Sequence, residues 1–309
     1  MFARSQAIGE LVSEPITLKT KKKEHLSKAD YYGDQIRFFS QFSSDGQAAQ
    51  KLLGKAQIVV FGAGAIGSQA IAALADAGVG KIRVSDQAET TKPDIAGNAL
   101  LQLQDVGQAR AERVAQRVNE KNIPSVNCEA VQAESESDEK LKEIIHGAAC
   151  VLVCLDSPAP ALLDAVNRAA LQANVRWVTG QIYRGTGILG PTVIPYQSAC
   201  YKCYELRRNA NLENYEEVMH YETRLRQMPA IRSEFVAPKP LAQTLGGLLA
   251  LESLRLMTQT AIPQMAGRIL LIDFFAPEMT YHRILRLPNC PACGDAKRSS
   301  LPSVQESSR

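Results

Sequence analysis

A glycine-rich turn between an apolar run and a helix is the feature that most constrains this chain. The run Gln57–Phe61 is typical of a buried strand and leads into Gly62-Ala-Gly64-Ala-Ile-Gly67, after which the pattern predicts a helix. The spacing is that of a dinucleotide-binding fingerprint, in which the first glycine permits the tight turn, the second lets a phosphate approach, and the third lets helix pack on strand. We therefore expect Gly62, Gly64 and Gly67 to bind phosphate.

Asp86 stands at the end of the next predicted strand, Lys81–Ser85, and follows Gly67 by 19 positions. A carboxylate at this distance from the fingerprint accepts hydrogen bonds from ribose hydroxyls. The start of the intervening helix offers unpaired N–H groups and a positive dipole end to an anion. The segment thus predicts a nucleotide site with Asp86 on the ribose.

Alternating helices and strands continue the pattern. Helices are expected at 106–119 and 138–145, and strands at 126–131 and 149–155. This order predicts an α/β fold with a doubly wound, Rossmann-like, mostly parallel sheet. Asp156 comes directly after the last of these strands, where ligands of such sheets bind. It either serves a ligand there or only caps the helix that begins near Ser157-Pro158, and the sequence leaves both interpretations open.

Four cysteines form two Cys-x-x-Cys pairs, Cys200-Tyr-Lys-Cys203 and Cys290-Pro-Ala-Cys293, with 86 residues between the pairs. Each pair can place two thiolates on one metal ion, and two pairs complete the tetrahedral four-sulfur site that zinc prefers. We expect this site to be structural and to close a C-terminal extension of mixed strands. The three other cysteines, Cys128, Cys150 and Cys154, lie in apolar runs and are expected to be small core residues.

The chain divides into an N-terminal arm (1–28), a nucleotide-binding domain (29–295) that contains a zinc subdomain (about 185–295), and a Ser-rich, charged tail (296–309) expected to be disordered. Residues 7–18 favour at most one edge strand, because Pro15 interrupts them. Helical spacing covers 29–53, with an interruption at 43–46.

The zinc subdomain shows a different pattern. Glycines and prolines from Gly185 to Pro195 indicate turns between short strands, and the polar stretch 210–240 is expected to be a long crossover or lid. A strongly apolar helix follows at 243–259, and strands are expected at 268–275 and 279–287. The apolar excess of that helix fits either core burial or a dimer interface.

Composition excludes several classes of protein. The net charge of +3 is too small to argue for nucleic acid, and the basic run Lys19–Lys23 is typical of a solvated arm. No stretch reaches the roughly 18 apolar residues of a membrane span, and the N-terminus lacks the apolar core of a signal peptide. We expect a cytoplasmic protein, whose reduced surroundings keep thiols available for metal.

The order of these motifs resembles the ThiF/MoeB/HesA adenylyltransferases of the ubiquitin-activating-enzyme-like superfamily over about residues 30 to 295. The resemblance rests on the glycine fingerprint, Asp86, Val106-Gly107, Asp156, both cysteine pairs and the long apolar helix. The run from Leu189 to Cys203 looks most like the peptide-modifying, MccB-like branch.

What the resemblance implies is adenylation of a carboxylate on a peptide or small molecule by ATP. Proteins of the family bind ATP and Mg²⁺ at the strand ends, hold zinc structurally and form homodimers. Carried to this sequence, the family pattern places the phosphates on Gly62, Gly64 and Gly67, the ribose on Asp86 and the magnesium ion on Asp156. Arg110 stands where the family has a catalytic lysine, and it keeps the positive charge.

Two family arginines are absent. Where the family has Arg-Tyr-x-Arg-Gln, this chain reads Tyr31-Tyr-Gly-Asp34-Gln35, and where it has Asn-x-x-Arg-Gln the chain has Asp94, Gly97 and Asn98. Loss of one charge that stabilises a transition state costs several kcal/mol of barrier. Arg37, Arg83, Arg110 and Arg113 are the candidates to supply the missing charge.

Three functions therefore stand side by side. The first is ATP-dependent adenylation, and the second is a degenerate relative that recruits a peptide to a cyclodehydratase-type complex without turning over ATP. The fingerprint alone also fits an NAD-dependent oxidoreductase, but the cysteine pairs and the lack of a separate substrate domain count against it. Residues 204–289 contain no cysteine, so an acyl group would pass to an external nucleophile or to an amide of the substrate.

Overall fold

The structure is a computed structural model that describes residues 28–42, 45–132, 138–183, 185–227, 237–276 and 278–294. Within these ranges eight strands form one sheet, in the order β3-β2-β1-β4-β5-β6-β7-β8. The strands are β1 Gln57–Phe61, β2 Lys81–Ser85, β3 Asn127–Ala130, β4 Cys150–Leu155, β5 Trp177–Tyr183, β6 Thr186–Val193, β7 Arg268–Asp273 and β8 Glu278–Arg283. The first five are parallel and the last three join antiparallel, which confirms the expected Rossmann-like sheet with a C-terminal extension.

Ten α-helices flank the sheet in the described ranges. They are α1 Lys28–Phe39, α2 Gly46–Lys55, α3 Ala65–Asp76, α4 Lys92–Gly97, α5 Arg110–Glu120, α6 Asp138–Ile145, α7 Pro160–Ala173, α8 Tyr201–Asn209, α9 Tyr215–Gln227 and α10 Lys239–Thr258. No helix in this part of the chain combines the length and apolar character needed to cross a membrane. The predicted edge strand at 7–18, almost all of the arm and the tail lie outside the described residues.

The central strands are buried on both faces. All six residues of β4 are buried, and alternate ones point to opposite layers. Cys150, Leu152 and Cys154 pack with the layer that contains α3, α5 and α10, whereas Val151 and Val153 pack with the layer that contains α6 and α7. Parallel strands covered on both faces read as continuous apolar runs, which explains why the sequence located β4.

Most of the apolar surface of the long helix α10 is buried in the core of the protein. Half of the residues of α10 are buried, Leu245 and Leu249 among them. This helix packs mainly along α3 and also contacts β5. Core burial thus accounts for most of its apolar surface, although Leu251 remains 40% exposed.

Two elements between residues 185 and 294 differ from expectation. The strand β6 runs through Gly187, Gly190 and Pro191, where turns between short strands were expected. Gly190 and Pro191 fall at a register shift opposite Val178 and Gly180 in β5, and an irregularity of this kind tolerates a proline, which has no N–H for the ladder. The polar stretch 210–240 contains the unexpected helix α9.

Ion pairs, not apolar contacts, hold α9 in place. No described residue of α9 is buried. Arg226 pairs with Asp164 of α7 at 3.2 Å and with Glu205 of α8, and Arg208 pairs with Glu222 at 2.6 Å. A helix without a buried face has no clear apolar stripe, so the hydrophobic periodicity of the sequence did not predict α9.

A buried carboxylate fixes the long connection between β2 and α5. Asp105 is completely buried, and its oxygens accept hydrogen bonds from Arg113 at 2.8 Å and from Arg117 at 2.9 Å. The backbone N–H of Gln102 also donates to Asp105 at 2.8 Å. Burial raises the pKa of Asp105, but these donors outweigh burial and leave the pKa below its ordinary value. The cluster anchors the start of α5, and therefore Arg110.

We expect Asp105→Asn to lower the free energy of unfolding by about 3–5 kcal/mol, because it leaves two largely buried guanidinium groups without their carboxylate. Urea denaturation at pH 7 measures the loss, and Glu112→Gln on the exposed face of α5 is the matched control. Since the pKa is lowered in the folded state, the stabilisation is present above the unfolded value of about 3.9 and is lost only as the pH falls below it. An equal stability of Asp105→Asn and wild type at pH 7 would contradict this assignment.

Candidate functional site

A cavity of about 240 Å³ opens at the carboxyl ends of β1, β2 and β4. The strand order reverses here, because β1 lies between β2 and β4. Ligands of open α/β sheets bind at such a switch point. The lining residues include Gly62, Gly64, Asp86, Arg110, Cys154 and Asp156, so all the residues predicted for the nucleotide site except Gly67 meet in one place.

The fingerprint glycines allow very close packing. Gly62 has φ +95°, a backbone conformation that side chains disfavour, and a Cβ there would lie 2.1 Å from the carbonyl oxygen of Cys154. A Cβ on Gly67 would lie 1.9 Å from the carbonyl oxygen of Gly62. The first and third glycines thus play the backbone roles that the fingerprint assigns, while phosphate binding stays a prediction.

Asp156 occupies the space that Gly64 leaves open. A Cβ on Gly64 would lie 1.7 Å from Oδ2 of Asp156. The same oxygen accepts a hydrogen bond from the N–H of Ala65 at 2.7 Å, and Oδ1 accepts one from the N–H of Ile66 at 3.1 Å. The carboxylate therefore caps α3, and the interpretation of Asp156 as a cap for α7 is wrong, since α7 begins only at Pro160.

The electrostatics of Asp156 combine opposing effects. Burial raises its pKa, and the two amide donors and Arg110 only partly offset this, so the pKa stays above its ordinary value. The positive end of the α3 dipole nonetheless favours a negative charge here. Asp156 is thus a half-buried carboxylate at the place where the fingerprint predicts a phosphate, or a metal ion bound to it.

Asp86 is bound from both sides. Its Oδ2 accepts hydrogen bonds from the N–H of Ala63 at 2.7 Å and from Nε of Arg110 at 3.0 Å. Its Oδ1 accepts hydrogen bonds from the N–H of Ala88 at 2.9 Å and from Nη2 of Arg110 at 3.0 Å. The pair with Arg110 is therefore bidentate, the stronger form of guanidinium–carboxylate contact.

Arg110 also contacts a third element, because its Nη1 donates to Oδ1 of Asp94 on α4 at 3.2 Å. Burial lowers the pKa of Arg110, but Asp86, Asp94 and Asp156 outweigh it and raise the pKa overall. One guanidinium thus lies among three carboxylates. From the sequence, Arg110 was expected to keep the positive charge of the family lysine, and its pairs with Asp86 and Asp94 were not foreseen.

Asn98 is a further residue whose role the sequence did not reveal. Its side chain is buried and donates to the carbonyl oxygens of Ala63 at 2.9 Å and Gly64 at 3.2 Å. Its Oδ1 accepts hydrogen bonds from the N–H groups of Leu100 and Leu101. Asn98 therefore ties the glycine turn to the β2–α5 connection. A polar residue beside apolar ones was the only signal in the sequence.

The structure does not replace the absent arginines at their own positions. Asp34 lies exposed on α1 and pairs with Arg37, and Gly97 ends α4. Arg83 contacts Glu129 at 3.1 Å, and Arg113 contacts Asp105. Of the four candidate arginines, only Arg110 lines the cavity.

The two cysteine pairs come together in one buried cluster. Cys200 lies 3.9 Å from Cys203 and 3.8 Å from Cys290, and Cys203 lies 3.6 Å from Cys293, measured between Sγ atoms. A zinc ion with four Zn–S bonds of about 2.3 Å sets its sulfurs about 3.8 Å apart, whereas a disulfide joins them at about 2.05 Å. All four are free thiols, so the cluster fits a tetrahedral metal ion.

The four thiols of the cluster titrate together. Hydrogen bonds among them, chiefly with Cys200, lower the pKa of Cys203 and of Cys290 below the ordinary value of a thiol. Metal ligands are thiolates, so a bound metal ion would displace the remaining protons. Cys154, by contrast, is a lone buried thiol whose pKa is raised by burial and by Asp156, as expected of an inert core residue.

Comparison with known proteins gives a consistent result. The model of the ThiF family matches residues 32–292. The sulfur carrier protein ThiS adenylyltransferase of Escherichia coli K12 is 26% identical over 263 residues, which cover 85% of this chain and 94% of the relative. The SAMP-activating enzyme E1 of Haloferax volcanii is 28% identical over 262 residues, which cover 84% of this chain and 88% of the relative.

Solved structures show the same fold. The crystal structure of E. coli MccB with AMPCPP and MccA superposes with a TM-score of 0.73 at 19% identity, over 87% of this chain and 75% of MccB. PaaA superposes with a TM-score of 0.67 at 14% identity, over 87% of this chain and 78% of PaaA. Together with the glycine turn, the strand-end carboxylates and the cysteine cluster, the family match over most of the sequence shows that the chain belongs to the ThiF family.

Proposed function

We propose that this protein uses ATP to activate a carboxylate of a peptide or small molecule as an adenylate. The observation that carries the proposal is the meeting, in one cavity, of Asp86 at the ribose position, Asp156 at the start of α3, and the guanidinium of Arg110. The relatives include an adenylyltransferase for a sulfur carrier protein and MccB, whose structure holds the peptide MccA. Membership of the ThiF family gives no support to the NAD-dependent oxidoreductase interpretation.

The reaction needs little covalent work from the protein. An oxygen of the substrate carboxylate attacks the α-phosphorus of ATP, the bond to the bridging oxygen breaks, and pyrophosphate leaves. Positioning and neutralisation of charge supply most of the catalysis in such a step. The turn at Gly62, Gly64 and Gly67 holds the phosphates and Arg110 stabilises negative charge.

A magnesium ion fits beside Asp156, because a carboxylate next to the phosphate position is the usual way in which proteins hold the magnesium of a nucleotide. When bound, the ion neutralises charge on the phosphates. The acyl group then passes to an external nucleophile or to an amide of the substrate, since no cysteine occurs between residues 204 and 289. The free thiols fit a reducing, cytoplasmic location.

One observation favours a second candidate. Among the residues that the structure describes, Arg110 is the only arginine that lines the cavity, and it is surrounded by Asp86, Asp94 and Asp156. A site with this balance neutralises a triphosphate poorly without added cations. The alternative is a degenerate partner that recruits a peptide to a cyclodehydratase-type complex without ATP turnover.

Exchange of radiolabelled pyrophosphate into ATP, measured with candidate peptides and small carboxylates, distinguishes the two functions. We expect Asp156→Asn to reduce exchange by at least about 100-fold while nucleotide binding persists, because the ion held by Asp156 acts on charge that develops during the reaction. Asp76→Asn, at an exposed position that pairs with Lys121, is the matched control. Absence of both ATP binding and exchange in the wild type, at millimolar nucleotide with magnesium, would leave the scaffold function in its place.

We further propose that Cys200, Cys203, Cys290 and Cys293 hold one structural zinc ion. Elemental analysis should find about one zinc per chain, and Cys290→Ser should lose the zinc and melt at a lower temperature, since structural zinc contributes on the order of 10–16 kcal/mol to the folding of small zinc peptides. Cys128→Ser changes a buried thiol outside the cluster and should keep its zinc. Wild-type protein with well under one zinc per chain would exclude the site.

The family resemblance also supports a homodimer, formed through helices of the nucleotide-binding half. Phe38, Phe42 and Leu52 remain 52%, 60% and 48% exposed, and the rings of Phe38 and Phe42 contact each other in a tilted arrangement, with their centroids 5.1 Å apart. Exposed aromatic and aliphatic groups that lie together on α1, α2 and the turn between them are typical of an interface.

Light scattering at micromolar concentration should give the mass of a dimer for the wild type and of a monomer for Phe38→Glu, because a charge in an apolar interface is desolvated without a partner. Phe275→Glu, at a more exposed aromatic residue in the β7–β8 turn, should stay dimeric. A monomeric wild type would refute the proposal.

A further inference from the structure

The hydrogen-bonding capacity of Asp86 is fully used within the protein. A carboxylate offers about four lone-pair sites, and Asp86 receives four hydrogen bonds. Two come from the backbone N–H groups of Ala63 and Ala88, and two come from Arg110. The side chain of Asp86 is only 6% exposed. A ribose diol therefore cannot bind Asp86 while Arg110 keeps both of its bonds.

We infer that Arg110 competes with the ribose for Asp86 and thereby determines which nucleosides and nucleotides the site accepts. This inference rests on the proposed function, because it takes Asp86 as the ribose-binding carboxylate. The backbone bonds fix the orientation of Asp86, so the guanidinium is the partner that can leave. Binding of the diol is an exchange of two guanidinium bonds for two hydroxyl bonds.

Asp94 gives the displaced guanidinium a place to stay. Its Oδ1 already accepts from Nη1 of Arg110 at 3.2 Å. Its Oδ2 accepts from the N–H of Thr91 at 2.7 Å and from the Thr91 hydroxyl at 2.6 Å, so the carboxylate is held in position. Asp94 is thus a positioning residue, which keeps Arg110 in the cavity when Asp86 binds the ribose.

The guanidinium already lies close to the predicted phosphate position while it is paired with Asp86. Its Nη1 is 3.8 Å from the point where a Cβ on Gly64 would stand, and Gly64 is the glycine at which the fingerprint brings phosphate to the backbone. Binding of a nucleoside without phosphate breaks the bonds between Arg110 and Asp86 and offers the guanidinium no new ligand contact. A nucleotide offers a phosphate to the same guanidinium, so the site favours phosphorylated ligands.

The test compares adenosine, 2′,3′-dideoxyadenosine and ATP with magnesium by titration calorimetry. We expect Arg110→Ala to tighten adenosine by about fivefold or more, since the two freed sites on Asp86 gain ordinary hydrogen bonds. The same variant should weaken ATP by about tenfold or more and leave dideoxyadenosine unchanged, because that ligand has no diol. A residue that only supports the fold would move adenosine and ATP in the same direction.

Two further variants complete the design. Arg110→Lys cannot form the bidentate pair, so it should tighten adenosine less than Arg110→Ala while retaining more ATP affinity. Asp94→Asn removes the second partner of Arg110 and should weaken adenosine. Arg224→Ala, at an exposed arginine of α9, is the control, and melting curves show whether each variant is folded.

Adenosine binding that is unchanged or weaker in folded Arg110→Ala and Arg110→Lys would overturn the inference, as would a wild type and variants that all fail to bind adenosine. The adenosine measurements need no turnover. A protein that shows the opposite shifts for adenosine and ATP but no pyrophosphate exchange therefore retains the inference and loses the proposed adenylation.

Discussion

The close contact between the glycine turn and β4 is the constraint on which the rest of the site depends. The carbonyl oxygen of Cys154 lies where a Cβ on residue 62 would stand, and the carbonyl oxygen of Gly62 lies where one on residue 67 would stand. No side chain larger than hydrogen fits at either point. This packing places the start of α3 directly beside the end of β4. The first two amides of α3 can therefore donate directly to the carboxylate of Asp156.

From this contact follows an unusual charge balance. Asp156 takes the amides that α3 would present to a phosphate, and Arg110 takes the oxygens that Asp86 would present to a ribose. The polar groups of the cavity are thus satisfied by one another. Buried polar groups left without partners lower the stability of a protein. Internal pairing avoids this loss, and a ligand must offer better partners than those it displaces.

The sequence predicted the sheet and the location of the site, because both depend on local signals. The apolar run of β4 and the spacing from Gly67 to Asp86 are readable from neighbouring residues. The pairing of Arg110 with Asp94 was missed because it joins α5 to α4, a helix of six residues that has no apolar period. Helix α9 was missed for a related reason, since none of its described residues is buried and ion pairs link it to α7 and α8. Contacts between polar side chains distant in sequence leave no local pattern.

The cysteine cluster shows how a distant pairing becomes predictable when chemistry limits the partners. Cys200 directly precedes α8 and Cys203 lies in its first turn, whereas Cys290 and Cys293 follow β8. The cluster therefore joins the two ends of the antiparallel extension. Four thiols in two pairs have few stable arrangements, whereas an arginine can pair with any of 32 acidic residues. None of the four cysteines lines the cavity that contains Asp86, Arg110 and Asp156. A metal ion bound by the cluster would therefore tie the start of α8 to the segment after β8, at a distance from that cavity.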